Sequence, residues 1–414
     1  VVKQFAAPLR NSRFRRVWAG QLINVVGDAV FGVTVPLFLL HRDDAPATIG
    51  TVLAAGALGA VVSLFFAGAL ADRHRRTRLI VTADVVRAAG LVAMLVLGSD
   101  ANRYALACCM ATVGVGAGLY RPAYMVLLPT LVDDDEALPT VNGLRVLAGR
   151  FSIIIGGVLA GWLVTWFAAR TVLLLDLLTF VISVLSLLGL RETMPHPQIR
   201  PTLLMDVRAG FAYIAQRRWM LAVMVQGAIQ IAVVAGVVSI CLPLLLGRAG
   251  VWYGMAIAIE AVGAVGGVSV ATSCNPTRRG LVAMLALLCQ TLQLVAIALR
   301  GNPIVVVVLS GAAGFGLSLF AVLWTTALQR QVAPDQLGRV FAVDQLTATV
   351  FSPIGLSLAG WAVAAQGMSL TAWVAAGVLV GSVVATLPIA GVTAFAAPTS
   401  DDDPPPRGRA GLHA

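Results

Sequence analysis

Nine ionisable residues interrupt long apolar stretches of this chain: Asp28, Asp84, Asp176, Glu260 and Asp344, and the basic Arg87, Arg121, Arg145 and Arg150. A charge in an apolar medium is costly unless paired, so each calls for a partner or a role. Gln21 and Asn24 precede Asp28 by seven and four residues, which puts all three on one face of a helix. That polar stripe is expected to face a water-filled cavity, with Asp28 as a proton carrier or substrate contact. The alternative is a hydrogen-bonded acid that packs its helix. Arg121, Arg145 and Arg150 are the basic counterparts, any of which could pair with Asp28 and hold it ionised. Glu260 and Asp344 are the acids of the second half with a possible proton or substrate role. Asp84 and Arg87, three residues apart, read as a local ion pair, and Asp176 has no obvious partner. Gln226, Gln230, Gln290, Gln293 and Trp324 are expected on the cavity wall of the second half.

Covalent chemistry finds little support. Lys3 is the only lysine, so the chain holds no phosphate-binding Walker A loop and no Schiff-base lysine within a span. There is no His-Glu-x-x-His run, the four histidines are scattered, and Cys108, Cys109, Cys241, Cys274 and Cys289 show no metal or disulfide spacing. No metal and no cofactor are expected. What remains is movement of a molecule across a membrane.

The elements that must position these residues are long and apolar. Of 414 residues 59% are hydrophobic and only 12% charged, about half the charge of a soluble domain, and the mean hydropathy is +0.90. Spans of about 20 residues recur along the chain, predicted at 17–40, 47–71, 79–98, 103–131, 138–166, 168–190, 218–247, 250–273, 280–300, 302–330, 338–365 and 368–396. These runs are too long and continuous for a β-barrel. The fold class is therefore an all-α integral membrane protein with twelve transmembrane helices. The net charge of +10 is a topology signal and not a sign of nucleic-acid binding. With the N-terminus in the cytoplasm, twenty basic residues fall in cytoplasmic loops and five (Arg42, Arg103, Arg170, Arg248, Arg300) outside, a strong positive-inside bias. Both termini are then cytoplasmic, and the first segment is expected to be a retained span. The abundance of Ala, Gly, Val and Arg suggests a GC-rich bacterial genome.

A weak repeat divides the chain. "VLAGW" at 158–162 has a counterpart in "SLAGW" at 357–361, and Val132 and Val332 stand 200 apart in related contexts. The expected organisation is a six-helix half over 1–190, a cytoplasmic linker over 191–217, a second half over 218–396 and a disordered tail over 397–414. Within the linker, Leu203, Leu204, Val207, Phe211 and Ile214 fall at helical spacing, which predicts an amphipathic helix at the membrane interface.

Two six-helix halves joined by a parallel repeat is the layout of the major facilitator fold. The hairpin "GALADRHRRTRL" resembles that superfamily's signature between its second and third helices. Gly68, Asp72, Arg73, Arg75 and Arg76 stand close to the pattern, with Arg75 where a glycine is usual. That substitution resembles the branch of enterobactin exporters and macrolide efflux proteins. "FRRVWAGQLINVVGDAV", "DVVRAAG", "YRPAYMVLLPTLV" and "DVRAGFAYIAQRR" resemble the same branch. The arginines would hold the turn on the negative cytoplasmic leaflet. A carboxylate at a helix C-terminus is unfavourable; the resemblance implies that Asp72 latches the halves by facing the start of the eleventh helix when the cytoplasmic side is closed, and a hairpin that is only a topology anchor is the alternative. Arg121 resembles the arginine that drug/proton antiporters carry near their proton site. Gly156, Gly157 and Gly161 in "GGVLAGW" fall in the antiporters' Gly-Pro-x-x-Gly-Gly element, with Gly157 in place of proline. The resemblance implies a monomeric secondary exporter in a bacterial inner membrane, its partners being the lipid bilayer, protons and a small organic substrate such as an antibiotic, toxic metabolite or siderophore. Proton-coupled uptake and a non-transporting membrane sensor or scaffold are the alternatives.

Overall fold

The computed structural model describes residues 11–132, 138–190, 203–274 and 276–396. The tail, most of the connection between the halves and the side chain of Leu204 lie outside the described residues. The helices are α1 Ser12–Phe38, α2 Ala45–Arg73, α3 Arg76–Leu97, α4 Arg103–Leu127, α5 Leu138–Trp166 and α6 Ala169–Leu187, then the short α7 Leu203–Ala215. They continue as α8 Arg218–Leu246, α9 Gly250–Ser273, α10 Arg279–Ala298, α11 Pro303–Gln331, α12 Pro334–Gln366 and α13 Met368–Thr386. Eleven of these are long and apolar enough to cross a membrane. The 25-residue α4 has the length as well, but Arg121 lowers its hydropathy. The last span is shorter than its apolar run, because the chain turns after Thr386 and Phe395 adopts a left-handed φ of 53°.

Local sequence sets the helix ends. Asn11 accepts from the amides of Arg13 and Phe14 at the start of α1, as an N-cap should. Asn102 and Asn302 do the same for α4 and α11, each accepting at 2.9 Å from the amide two residues on. These two caps stand 200 residues apart at equivalent places in the two halves. Inside α8 a π-helical turn, Ile231–Ala235, interrupts the α-helix.

The helix pairs repeat as well. In the first half α1 packs on α5 and α6, α2 on α4, and α3 on α4 and α6. In the second half α8 packs on α12 and α13, α9 on α11, and α10 on α11 and α13. The main contacts between the halves are α2 with α12 and α5 with α9. Helix α7 lies against α12, with Ile214 buried and Gly210 next to the Arg339 carbonyl.

The crossing contacts are built from glycines. A Cβ on Gly50 would stand 2.7 Å from Gly360 Cα, and one on Gly161 would stand 2.8 Å from the Gly250 carbonyl. Gly50 and Gly250 are 200 residues apart, and Gly161 and Gly360 are 199 apart. The seam is therefore one contact used twice. Small residues bring backbones close enough for dense van der Waals packing, which drives helix association in lipid. Among the described residues, the glycine-mediated approaches between the halves, including Gly247 against Leu37 and Leu40, lie toward the end of the bundle where α1 ends and α2 begins. At that end Arg42 binds Asp44 at 2.7 Å and Arg103 sits 5.4 Å from the Trp361 ring, tying α4 to α12. The Arg42 hydrogen bond also holds the Asp44 carboxyl below the usual carboxylate range. We expect Gly161→Val and Gly360→Val to splay this end by several ångströms and Gly377→Val, in open space, to leave it unchanged. Spin-label distances between positions 41 and 366 in a cysteine-free background check this; unchanged distances in the first two variants would show the seam to be incidental.

Candidate functional site

The polar stripe of α1 meets a second stripe on α6. Asp176, Thr179, Ser183 and Ser186 are spaced by three, four and three residues, one face of a helix. Gly20 and Gly27 of α1 admit them: a Cβ on Gly27 would stand 2.5 Å from both Asp176 Oδ1 and Thr179 Oγ1. Gln21 donates to Ser183 Oγ at 2.9 Å and accepts from Tyr120 of α4 at 2.8 Å. Asn24 donates to Asp84 Oδ1 at 3.4 Å, and Ser183 donates to Asp84 Oδ2. Gln21 and Asn24 are fully buried. This corrects the expectation that the whole stripe faces water. Buried amides need partners: hydroxyls of α4 and α6 serve Gln21, and the Asp84 carboxylate of α3 accepts from Asn24.

Only Asp28 reaches a cavity, with its side chain 34% exposed. Its ion-pair partner is Arg87 of α3, not Arg121, Arg145 or Arg150. Arg87 also binds Asp84 at 3.3 Å and lies 4.4 Å from the Phe180 ring and 5.6 Å from the Tyr120 ring, within cation–π range. Thr179 satisfies one oxygen of Asp176 at 3.1 Å, while Asp176 Oδ2 is buried without a hydrogen bond. One guanidinium thus serves two carboxylates, with a third on the adjoining face of α6. The local Asp84–Arg87 pair read from the sequence exists, but it is one edge of a network across α1, α3, α4 and α6. The α6 stripe was a readable signal for it.

The cavity beside Asp28 has a volume of about 570 Å³ and lies among α1, α2, α4 and α5. Arg87, Tyr120, Arg121, Tyr124 and Arg145 share its wall with Asp28. Tyr120 and Tyr124 stack with ring centres 5.5 Å apart. Arg150 points elsewhere, into a 250 Å³ cavity against Val268 of α9 and Thr325 of α11. Gly156 packs on Ala29, next to Asp28, while Gly157 and Gly161 face α9 across the seam.

In the second half Glu260 makes no ion pair or hydrogen bond among the described residues, and its backbone carbonyl abuts Gly314 of α11. Trp324 donates to Asp344 at 3.0 Å. Instead of lining a cavity, Trp324 is buried in a cluster with Trp219, Phe320 and Phe395. Asp344 is thereby the acceptor for one of the cluster's two indole N–H groups, while Trp219 Nε1 is buried without a partner among the described residues. Gln230 donates to Ser382 at 3.3 Å, and Gln293 to Ser310 at 2.8 Å. Gln226 lines a groove of about 1030 Å³ between α8 and α13, with both amide atoms buried and unpartnered. In the α2–α3 hairpin, His74 closes α2 onto Leu70 and Arg75 and Arg76 begin α3. The side chains of Gly68, Asp72 and Arg73 lie outside the described residues.

Two six-helix halves joined at one end, with a charged cavity within, are the architecture of an alternating-access carrier. The chain belongs to the Major Facilitator Superfamily, whose sequence pattern it matches over residues 17–347. It is a membrane transporter and not an enzyme. It is 21% identical over 358 residues to macrolide efflux protein A of Streptococcus pyogenes, covering 84% of this chain and 88% of that one. It is 25% identical over 370 residues to the multidrug efflux pump Tap of Mycobacterium tuberculosis, covering 84% and 87%. It is 26% identical over 357 residues to the enterobactin exporter EntS of Shigella boydii, covering 84% of each. The fold matches the crystal structure of nucleoside transporter NupG with a TM-score of 0.73 at 14% identity, over 91% of this chain and 98% of that one.

Removing Arg87 strips the counter-charge from buried carboxylates, and breaking a buried pair costs about 3–5 kcal/mol. We expect Arg87→Gln to lower the unfolding midpoint in detergent more than Asp28→Asn, whose carboxylate is partly solvated. Equal midpoints for the two variants would show that Arg87 is not the hub.

Proposed function

We propose that the protein exports an organic small molecule from the cytoplasm in exchange for protons, with Asp28 as the coupling carboxylate. The observation that carries this reading is the Asp28–Arg87 ion pair at the cavity edge, with Asp84 as a second acceptor for the same guanidinium. A pair whose cation has another partner waiting can be exchanged at low cost. A proton arriving on Asp28 neutralises it, and Arg87 then turns wholly to Asp84 and towards Asp176. Loss of that proton restores the first pairing. The two arrangements tie α1 to α3 differently, and biasing a two-state element is how a ligand moves a conformational equilibrium.

The direction rests on similarity and on charge. Relatives named for macrolide efflux, multidrug efflux and enterobactin export support export. The excess of loop arginines at the end bearing the termini supports a cytoplasmic placement for that end in a bacterial inner membrane. The glycine seam then closes the outer side, and the cavity is open for loading from within. Asp72 would join α2 to the second half in the opposite state. The halves rock about the seam as rigid bodies, and one copy suffices for the cycle.

The test is proton movement in inside-out vesicles holding an imposed acid interior, across a panel of macrolides and catechol siderophores. A compound that dissipates the gradient only with this protein present supports exchange, and Asp28→Asn should abolish the response while the protein still reaches the membrane. No response from any compound, with folded and inserted protein, would overturn the proposal. A second variant isolates the latch: Asp72→Asn should slow turnover with substrate affinity nearly unchanged, and a large affinity loss at normal turnover would count against it.

A further inference from the structure

We infer that the cavity beside Asp28 selects amphiphilic organic anions, with Arg121 and Arg145 as the anion-binding pair. The inference rests on the export reading only in taking this cavity as the loading site. Four charged side chains line the cavity: Asp28, Arg87, Arg121 and Arg145. The first two neutralise each other. Arg121 and Arg145 form no hydrogen bond or ion pair among the described residues, and Arg145 Nε is buried without a partner. Two positive charges therefore face a largely apolar space with no counter-ion among the described residues. Charges within spans are rare and are normally paired with one another. An unpaired pair is the pattern of a site that receives its anion from the ligand.

The geometry narrows the chemistry. Guanidinium forks match planar carboxylates and related oxyanions. The stacked Tyr120 and Tyr124 rings give a flat apolar wall beside them, and Met110 and Met125 are adaptable fillers that favour contact with aromatic rings. Arg121 lies six residues before the end of α4 and Arg145 seven after the start of α5, so both sit about 10 Å inside the terminal end of the bundle at 1.5 Å per residue. Arg87, eleven residues into α3, sits deeper, at about 16 Å. An entering anion meets the free arginines first. There it stands near the Asp28–Arg87 pair and competes with Asp28 for positive charge, which links substrate binding to the coupling carboxylate. An organic cation finds no free carboxylate among the described residues of this cavity.

Three probes of matched shape test this: 1-naphthoate, 1-naphthamide and 1-naphthylmethylammonium, binding to the purified protein in phosphatidylcholine nanodiscs. Naphthoate should bind at least about tenfold more tightly than the amide, and the ammonium should bind most weakly. The Arg121→Gln/Arg145→Gln double variant should lose the preference for naphthoate and keep the amide affinity. Arg121→Lys should retain part of the preference, and Arg208→Gln, on the exposed face of α7, all of it. Thermal unfolding confirms that each variant is folded. Equal affinities for the three probes, a preference that survives the double substitution, or no naphthoate binding at millimolar concentration would overturn the inference. If naphthoate preference holds and no compound moves protons in vesicles, export falls and anion selectivity stands. If proton exchange occurs without charge preference, the reverse follows.

Discussion

In hydrocarbon there is no water to satisfy a polar group, so every buried donor, acceptor and charge must be answered from within the protein. Arg87 is where this constraint acts most strongly. It stands among Asp28, Asp84 and the rings of Phe180 and Tyr120. Asp84 in turn holds Asn24 and Ser183, and Ser183 holds Gln21. Through this chain one guanidinium fixes the register of α1 against α3 and α6, and α4 joins through Tyr120. Dispersion alone sets no unique rotation for a helix whose whole surface is Ala, Leu and Val. Interlocking polar stripes do, because a turn of α1 about its axis would strand two amides and a carboxylate.

The contacts between the halves follow the opposite logic. Where α2 meets α12 and α5 meets α9, the seam uses glycine and backbone, with no buried ion pair among the described residues. Such a surface can part and re-form without desolvating ions at each cycle. A charge network ties the helices of the first half together, and small residues at the seam suit the rocking proposed for the halves. The duplication makes the hinge balanced: Gly50 with Gly360 and Gly250 with Gly161 are the same joint, placed on either side of the axis.

Much of this was legible in the sequence, for reasons that also mark the limit. The spans were readable because lipid selects for long apolar runs, and the Gln21–Asn24–Asp28 stripe because a helix has a fixed period. The repeat showed in "VLAGW" and "SLAGW", which contain Gly161 and Gly360 of the seam. The partner of Asp28 was not readable. Spacing along one helix reports neighbours three or four residues apart, and so it pointed from Arg87 to Asp84. The pairing that matters crosses from α1 to α3 and depends on how close two helices come. That closeness is set on the α6 side by Gly20 and Gly27, whose significance appears only when Ser186 and Asp176 are seen against them. Trp324 misled for a related reason. An aromatic residue with a polar edge suits a cavity wall and a core equally, and the return of Phe395 after α13 made it core.

The two halves share a scaffold but have divided the work. The first half gathers carboxylates around Arg87, while the second pairs Gln293 with Ser310 and Gln230 with Ser382, neutral bonds that carry no titratable charge. Its acids are dispersed: Asp344 supports the aromatic cluster through Trp324, and Glu260 stands alone at the α9–α11 contact. A half whose acids share one guanidinium and a half whose acids stand apart would respond differently to the same proton. On the proposed coupling, protonation of Asp28 would change the internal pairing of α1 and α3 and leave the packing of α8 to α13 untouched. A change confined to one side of a shared seam is what a rocking motion requires, since a symmetric response would loosen both halves and move neither against the other.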